Sequence, residues 1–215
     1  MKIYKFTNGD TYTPFAAAWE YFICEDKLTI PLDDIKKEIL DKEKSIIDQH
    51  EFEDDWGTKL GANSLTARSN KYNLLKFDSA DPLRRCIKKT HDKFVMEIGF
   101  KYAPQIYVQC WANVMRKGDQ IAVHSHGTDP YGYLSGHVCV QVNDTNTNYY
   151  NPYGGSAWDS PNEVGKITLF PNYLPHGTDK VEDDDERITI AFDIYTEEGY
   201  TNSITDDMKS HWLKL

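Results

Sequence analysis

The chain has 215 residues, 40% of them hydrophobic and 27% charged, which suits one globular domain with a sizeable core. Its formal net charge of −10 argues against a phosphate-binding face, because nucleic-acid affinity rests on clustered Lys and Arg. No apolar leader opens the chain, no apolar run reaches membrane length, and Cys24, Cys86, Cys110 and Cys139 show neither a CxxC pair nor disulfide-scaffold density, so the expectation is a cytoplasmic protein with reduced thiols and no membrane or nucleic-acid partner.

Along the chain, Ile3, Tyr4, Phe6, Tyr12 and Phe15 alternate weakly and suggest an edge strand with aromatic side chains packed onto the body of the protein. From Pro31, the spacing of Leu32, Ile35, Ile39 and Ile46 predicts an amphipathic helix of about four turns lying on a sheet face. Glu51 to Ser64 has no period and reads as a loop whose Trp56 and Leu60 fold back onto the core. Asp81-Pro82 looks like an N-cap followed by Pro at N1, and Leu83, Ile87, Phe94 and Ile98 carry a second helix to Gly99. After Pro104 the texture changes to strands: 105–115, a hairpin turn at Lys117-Gly118-Asp119, then 120–124, 134–142, 147–150, 166–170 and 187–195. Two helices followed by many short strands predict a mainly β domain, a sandwich or squat barrel braced by N-terminal helices. The acidic run Glu182 to Glu186 reads as a solvated loop tip.

The stretch 119–193 carries the chemistry. In a strand His124 and His126 share a face, about 7 Å apart at roughly 3.3 Å per residue, and can close on one ion where the strand bends or ends. His176 follows the apolar run Ile167 to Phe170 and a Pro171-Asn172 turn, and is the natural third ligand. Ten residues further, Arg187 and Thr189 again share a face, and a guanidinium fork beside a hydroxyl is a good receptor for a carboxylate. Trp111, Tyr133, Tyr149 and Tyr173 are candidate pocket aromatics, and Asn113 a candidate hydrogen-bonding group.

His124-x-His126, Leu134-Ser-Gly136, Leu169-Phe-Pro171-x-x-Leu174-x-His176 and Arg187-x-Thr189 resemble the 2-oxoglutarate/Fe(II)-dependent oxygenase superfamily, in its group of bacterial and phage proteins, over about residues 105 to 194. The resemblance implies a double-stranded β-helix (a jelly-roll or cupin-like barrel) over 101–197, supported by helices and edge strands over 1–100 in a single domain of 1–215. It also implies Fe(II) and 2-oxoglutarate as cofactors, with Arg187, Thr189 and Asn113 toward the cosubstrate. The activity implied is a dioxygenase, a hydroxylase coupling oxidative decarboxylation of 2-oxoglutarate to C–H oxidation. Its partners would be dioxygen and an unidentified small molecule or protein side chain, with a homodimer allowed.

The superfamily's usual first motif is His-x-Asp/Glu, and no such triplet occurs in this sequence. Two ligand sets follow: His124, His126 and His176, or a set in which Asp129 reaches in from the 127–130 turn. Same-face geometry favours His126, because Asp129 precedes a proline and suits an Asx-type turn. Plain packing roles compete with each reading. His137 would be a hydrogen-bonded strand residue, His50, His91 and His211 surface groups, and Arg187 a salt-bridge partner of the acidic run. At the level of function, a three-histidine cupin-like metalloenzyme without 2-oxoglutarate and a non-catalytic carboxylate- or sugar-binding barrel are the rivals.

Overall fold

The computed structural model describes residues 1–51, 54–127, 129–155 and 157–215. The elements in order are β1 (Lys2–Thr7), β2 (Glu20–Lys27), α1 (Asp33–Gln49), three short 3-10 turns between Thr66 and Ala80, α2 (Asp81–Glu97), β3 (Ile106–Met115), β4 (Leu134–Gln141), β5 (Asn146–Tyr149), β6 (Trp158–Pro161), β7 (Lys166–Pro171), β8 (His176–Thr178), β9 (Arg187–Thr196), α3 (Glu197–Ser203), α4 (Asp206–Lys209) and β10 (Leu213–Lys214). The protein is mainly β, with antiparallel strands in a seven-stranded sheet ordered β1-β2-β7-β4-β9-β3-β10 and a three-stranded sheet ordered β6-β5-β8.

Alternation along the central strands divides the large sheet into two different faces. Ile106, Val108, Cys110, Ala112 and Val114 of β3, with Ile188, Ile190, Phe192 and Ile194 of β9, join one apolar core with Ile35, Ile39 and Ile46 of α1 and Leu83, Ile87 and Phe94 of α2. The opposite face of β9 carries Arg187, Thr189, Ala191, Asp193 and Tyr195, and these lie in register with Met115, Asn113, Trp111, Gln109 and Tyr107 of β3. A polar strand face normally looks at solvent. Here most of these residues are buried as well, because the face lines an internal cavity.

Several expectations are corrected. Tyr12 and Phe15 do not pack onto the body but stand exposed, and Phe6, Trp19 and Tyr21 form the aromatic contacts of this region instead. Asp81 is not an N-cap: a 3-10 turn (Asp78–Ala80) runs directly into α2, Ala80 takes the cap position, and Asp81 pairs with Arg84 at 2.7 Å. His91 is fully buried rather than a surface group, held between Asp92 at 2.8 Å and the Tyr133 hydroxyl at 2.9 Å. The turn at 117–119 forms, closed by the Asp119 amide donating to the Arg116 carbonyl, but it does not join two ladder strands. The segment after it is an extended arm outside the named strands, bonded to residues 172–181. Leu60 packs on Met115, Ile121 and Val181 as expected, while Trp56 remains half exposed; residues 52 and 53 of that loop, and residue 128 of the 127–130 turn, lie outside the described residues. No described helix is long and apolar enough to cross a membrane.

Candidate metal and carboxylate site

The extended arm brings the histidines together through backbone pairing. His124 and His176 exchange both amide–carbonyl bonds, at 3.0 and 2.9 Å, which sets their side chains side by side, and the His126 amide donates to the Asn172 carbonyl at 2.8 Å. The three rings form a triangle with centroids 4.5 to 5.2 Å apart. Their ligand atoms all lie within 4.8 Å of one another, close enough to be drawn onto one ion.

Every ring has its Nδ1 engaged: His124 with the Ala122 carbonyl at 2.9 Å, His176 with the Leu174 carbonyl at 3.0 Å, and His126 with the Asp193 carboxylate at 2.5 Å. These acceptors select the tautomer that protonates Nδ1, and the Nε2 lone pairs are left for an ion. Burial holds His124 and His176 neutral, the form that binds metal. It pulls His124 down to about 4 and His176 well below the ordinary histidine range, each reinforced by the neighbouring rings. Phe170 and Tyr149 flank His176, with centroids at 4.6 and 6.0 Å, and keep its side of the site dry.

Asp129 sits elsewhere. Its carboxylate accepts from the Tyr195 hydroxyl at 2.8 Å, the Ser203 hydroxyl at 3.0 Å and the Tyr131 amide at 2.8 Å, and so ties the turn to β9 and α3. The carboxylate that does meet the cluster is Asp193, which also accepts from the Ser135 hydroxyl at 2.6 Å. Sequence reading missed both residues as site groups; the Leu-Ser-Gly triplet and the Arg-x-Thr strand were visible, but not the cross-strand register that makes Ser135 the partner of Asp193.

Arg187 lies at the far end of the same face, 1% exposed. Its contacts are the Met115 sulfur at 3.2 Å and the Thr147 hydroxyl at 3.5 Å, and its Nε has no partner. The acidic run does not neutralise it: Asp184 pairs with Lys117 and Glu182 with Lys180. Burial pulls its pKa down from the usual arginine value. Asp179 is near enough to act on Arg187 electrostatically, but its carboxylate is taken up by Asn146 and Asn148 and forms no ion pair with Arg187; a buried guanidinium without an ion-paired carboxylate is costly. Thr66 donates to the Asn113 carbonyl oxygen at 2.5 Å, which turns the Asn113 amide nitrogen toward the Thr189 hydroxyl at 3.4 Å and leaves the Thr189 proton free to donate. His137, between Ala191 and Thr168 in the ladder, also lines this end. Its Nε2 is buried without a partner, and burial next to Arg187 lowers it to about 3.

A single cavity of about 430 Å³ connects the histidine triangle with Arg187, Thr189 and Asn113. Of the expected pocket aromatics, Trp111 lines it, its ring 5.7 Å from that of His126. Tyr133 faces the helical core, and Tyr173 packs in the cluster of Tyr21 and Leu174. Trp56, expected to fold onto the core, lines the cavity instead, as do Tyr195 and Trp212, which had not been singled out.

Residues 145–193 match a family model described as putative 2OG-Fe(II) oxygenase. No curated protein matches the chain. Among solved structures, the chain is similar in fold to a prolyl hydroxylase from Trichoplax adhaerens, solved with a hypoxia inducible factor peptide fragment (TM-score 0.52, 11% identity, covering 85% of this chain and 87% of that one). It is also similar to the viral collagen prolyl hydroxylase of Paramecium Bursaria Chlorella virus-1 in its 2OG complex (TM-score 0.51, 11% identity, 81% and 96%). A third likeness is to the non-heme alpha ketoglutarate dependent carbocyclase SnoK of nogalamycin biosynthesis (TM-score 0.52, 9% identity, 85% and 86%). The chain thus resembles the 2-oxoglutarate/Fe(II) oxygenase superfamily in a local stretch of sequence and in fold.

Proposed function

We propose that the protein is a non-haem Fe(II), 2-oxoglutarate-dependent oxygenase, a hydroxylase acting on a C–H bond, built as one domain on a double-stranded β-helix core. The observation that carries this reading is the buried Arg187, which forms no ion pair of its own, in the same cavity as three convergent imidazoles. A metal alone would explain the histidines. A ligand with an anionic tail would account for the arginine as well.

His124, His126 and His176 would hold the iron through Nε2. Arg187 would take the far carboxylate of 2-oxoglutarate bidentately, with the Thr189 proton as a further donor held in place by Asn113 and Thr66. Ala191, the smallest residue on this face of β9, lies between Trp111 and His137 and leaves room for the cosubstrate chain. When bound, Fe(II) with 2-oxoglutarate and dioxygen supplies the oxidising power for C–H hydroxylation, with succinate and CO₂ as coproducts. The protein's part is to orient the oxo acid and to exclude water, for which Phe170, Leu134 and Ile121 form the apolar wall.

Three neutral imidazoles leave the site more positive than a two-histidine carboxylate face. The Asp193 charge, one hydrogen bond away on His126, offsets that difference. The all-histidine face is also what a three-histidine metalloenzyme without 2-oxoglutarate would use, and cosubstrate turnover separates the two. Reconstituted with Fe(II) and air, the protein should form succinate from 2-oxoglutarate even without substrate. His126→Ala should lose iron and Asp129→Ala should keep it. Iron retained in His126→Ala and lost in Asp129→Ala would overturn the ligand assignment, and iron binding with no succinate would favour the three-histidine alternative.

A further inference from the structure

Behind the triangle a line of rings runs from His176 to the surface. The register of the small sheet builds it, because Tyr149 of β5 lies directly opposite both His176 of β8 and Trp158 of β6. Tyr149 stacks on His176 with centroids 6.0 Å apart and on Trp158 at 5.4 Å, and Tyr4 of the edge strand β1 packs on Trp158 at 4.5 Å. Tyr149 is 2% exposed and is not among the residues lining the cavity, so holding a ligand there does not account for it. Trp158 and Tyr4 are half-buried and reach solvent at the far end.

The line ends on a base. The Tyr4 hydroxyl donates to Glu25 Oε2 at 2.9 Å. Burial works against the Glu25 charge, but the Ser160 hydroxyl, Lys166 and Tyr4 itself outweigh it and hold its pKa below the usual carboxylate value. Other rings at the triangle offer no such way out. Trp111 lies 5.7 Å from His126, and no further ring stacks on it among the described residues. Phe170 touches His176 and Tyr149 at 4.6 and 5.2 Å, but a phenyl ring is far harder to oxidise than an indole or a phenol.

We propose that this line carries electrons inward from a soluble one-electron donor at Tyr4 when the site has activated dioxygen with no substrate bound. The proposal rests on the oxygenase reading for its oxidant. Decarboxylation of 2-oxoglutarate without substrate leaves two oxidising equivalents at the iron site and one atom of dioxygen unspent. A tryptophan can lose an electron alone, whereas a tyrosine loses one easily only as its proton departs. Trp158 is therefore the relay, Tyr149 the bridge between it and His176, and Tyr4 the terminus. Two electrons pass in succession from Tyr4 through Trp158, and each time the Tyr4 proton moves to Glu25 and leaves a neutral tyrosyl radical. The oxidised phenol is so strong an acid that even a weakly basic carboxylate takes its proton. The donor then returns one electron to Tyr4, and Glu25 returns the proton. Two protons from solvent join the two electrons at the site, and the oxygen atom leaves as water. Trp111 and the other rings lining the cavity are spared oxidation.

The first arm of the test uses the metal-free chain. Pulse radiolysis with the azide radical, which oxidises tryptophan, should show indole radical passing to tyrosyl radical at a rate independent of protein concentration and slower in D₂O. Tyr4→Phe and Trp158→Phe, both of which keep an aromatic ring in place, should lose the same share of the tyrosyl amplitude. Wild-type amplitude in either variant would overturn the route. The second arm exposes the chain loaded with Fe(II) and 2-oxoglutarate to air without substrate, followed by EPR on frozen samples and by peptide mapping. The wild type should show a tyrosyl radical that Tyr4→Phe lacks and that tetramethylphenylenediamine, a one-electron donor, quenches. At equal succinate formation, Trp158→Phe should carry at least threefold more oxidation on Trp111. Succinate formed with no radical, or Trp111 oxidised equally in Trp158→Phe and the wild type, would overturn the proposal. No succinate from a chain that passes the metal-free arm would sink the oxygenase reading and, with it, the oxidant that the route serves.

Discussion

Asp193 is the residue on which the chemistry of the triangle turns, because its carboxylate both orients His126 and places a negative charge behind it. Carboxylates in that position raise the basicity of a ligating imidazole, and their loss costs about 10- to 100-fold in metal affinity. Asp193→Ala should show a loss of that size in Fe(II) or Zn(II) titration. Asp193→Asn, whose carbonyl oxygen can still accept from Nδ1 but brings no charge, should fall between it and the wild type. Wild-type affinity in Asp193→Ala would remove the residue from the site. At this scale the sequence was readable where spacing alone sufficed: His124-x-His126 and Arg187-x-Thr189 each share a face whatever the neighbouring strand. It was silent on Asp193, Ser135 and Trp212, whose roles depend on cross-strand register or on how the C-terminal segment returns, and alternation fixes neither.

Among the elements, β9 and β4 wall the cavity beside the histidine-bearing arm and β8, and Gly136 shows how closely they are fitted. A Cβ there would meet the Thr168 carbonyl oxygen at 2.5 Å and the Phe192 ring at 2.6 Å. The backbone oxygen belongs to the β7 ladder and cannot give way without breaking pairing. Gly136→Ala should therefore cost about 1–3 kcal/mol by overpacking, read as a lower urea midpoint at unchanged slope; a midpoint equal to that of the wild type would contradict this. The two long helices and the strands β3, β4 and β9 were legible because each spans enough residues to display its period; β2, also eight residues long, was not read as a strand. The shorter pieces were not: β6 and β8 have four and three residues, and the arm holding His124 is extended without a ladder of its own, so its alternation looked like an ordinary strand.

Across the whole molecule, the large sheet has an apolar face under the helices and a polar face turned into a cavity, and burial on both sides keeps histidines neutral. His91 and His137 are both held below the ordinary histidine value of 6.5, chiefly by burial, His137 at about 3. The unfolded chain takes up these protons as pH falls through 6.5 while the folded chain does not, so stability is full above that pH and declines below it. Each such histidine contributes up to about 1.4 kcal/mol per pH unit in the window between its two values. In chelator, unfolding free energy should fall between pH 7.5 and 5.5, and His137→Phe should flatten that fall; an equal slope in the variant would contradict the assignment.

The central claim, that one cavity holds iron at one end and the tail of 2-oxoglutarate at the other, is tested most directly by anaerobic titration of the iron-loaded protein with 2-oxoglutarate, following the visible metal-to-ligand charge-transfer band. A charge-assisted bidentate contact in a buried site is worth on the order of a few kcal/mol. The wild type should therefore develop the band saturably, and Arg187→Gln should need about 100-fold more 2-oxoglutarate while still binding one iron per chain. Arg187→Lys should recover only part of the loss, since an ammonium lacks the planar fork. An iron-loaded wild type that gives no band, or an Arg187→Gln variant that binds 2-oxoglutarate as tightly as the wild type, would contradict the account.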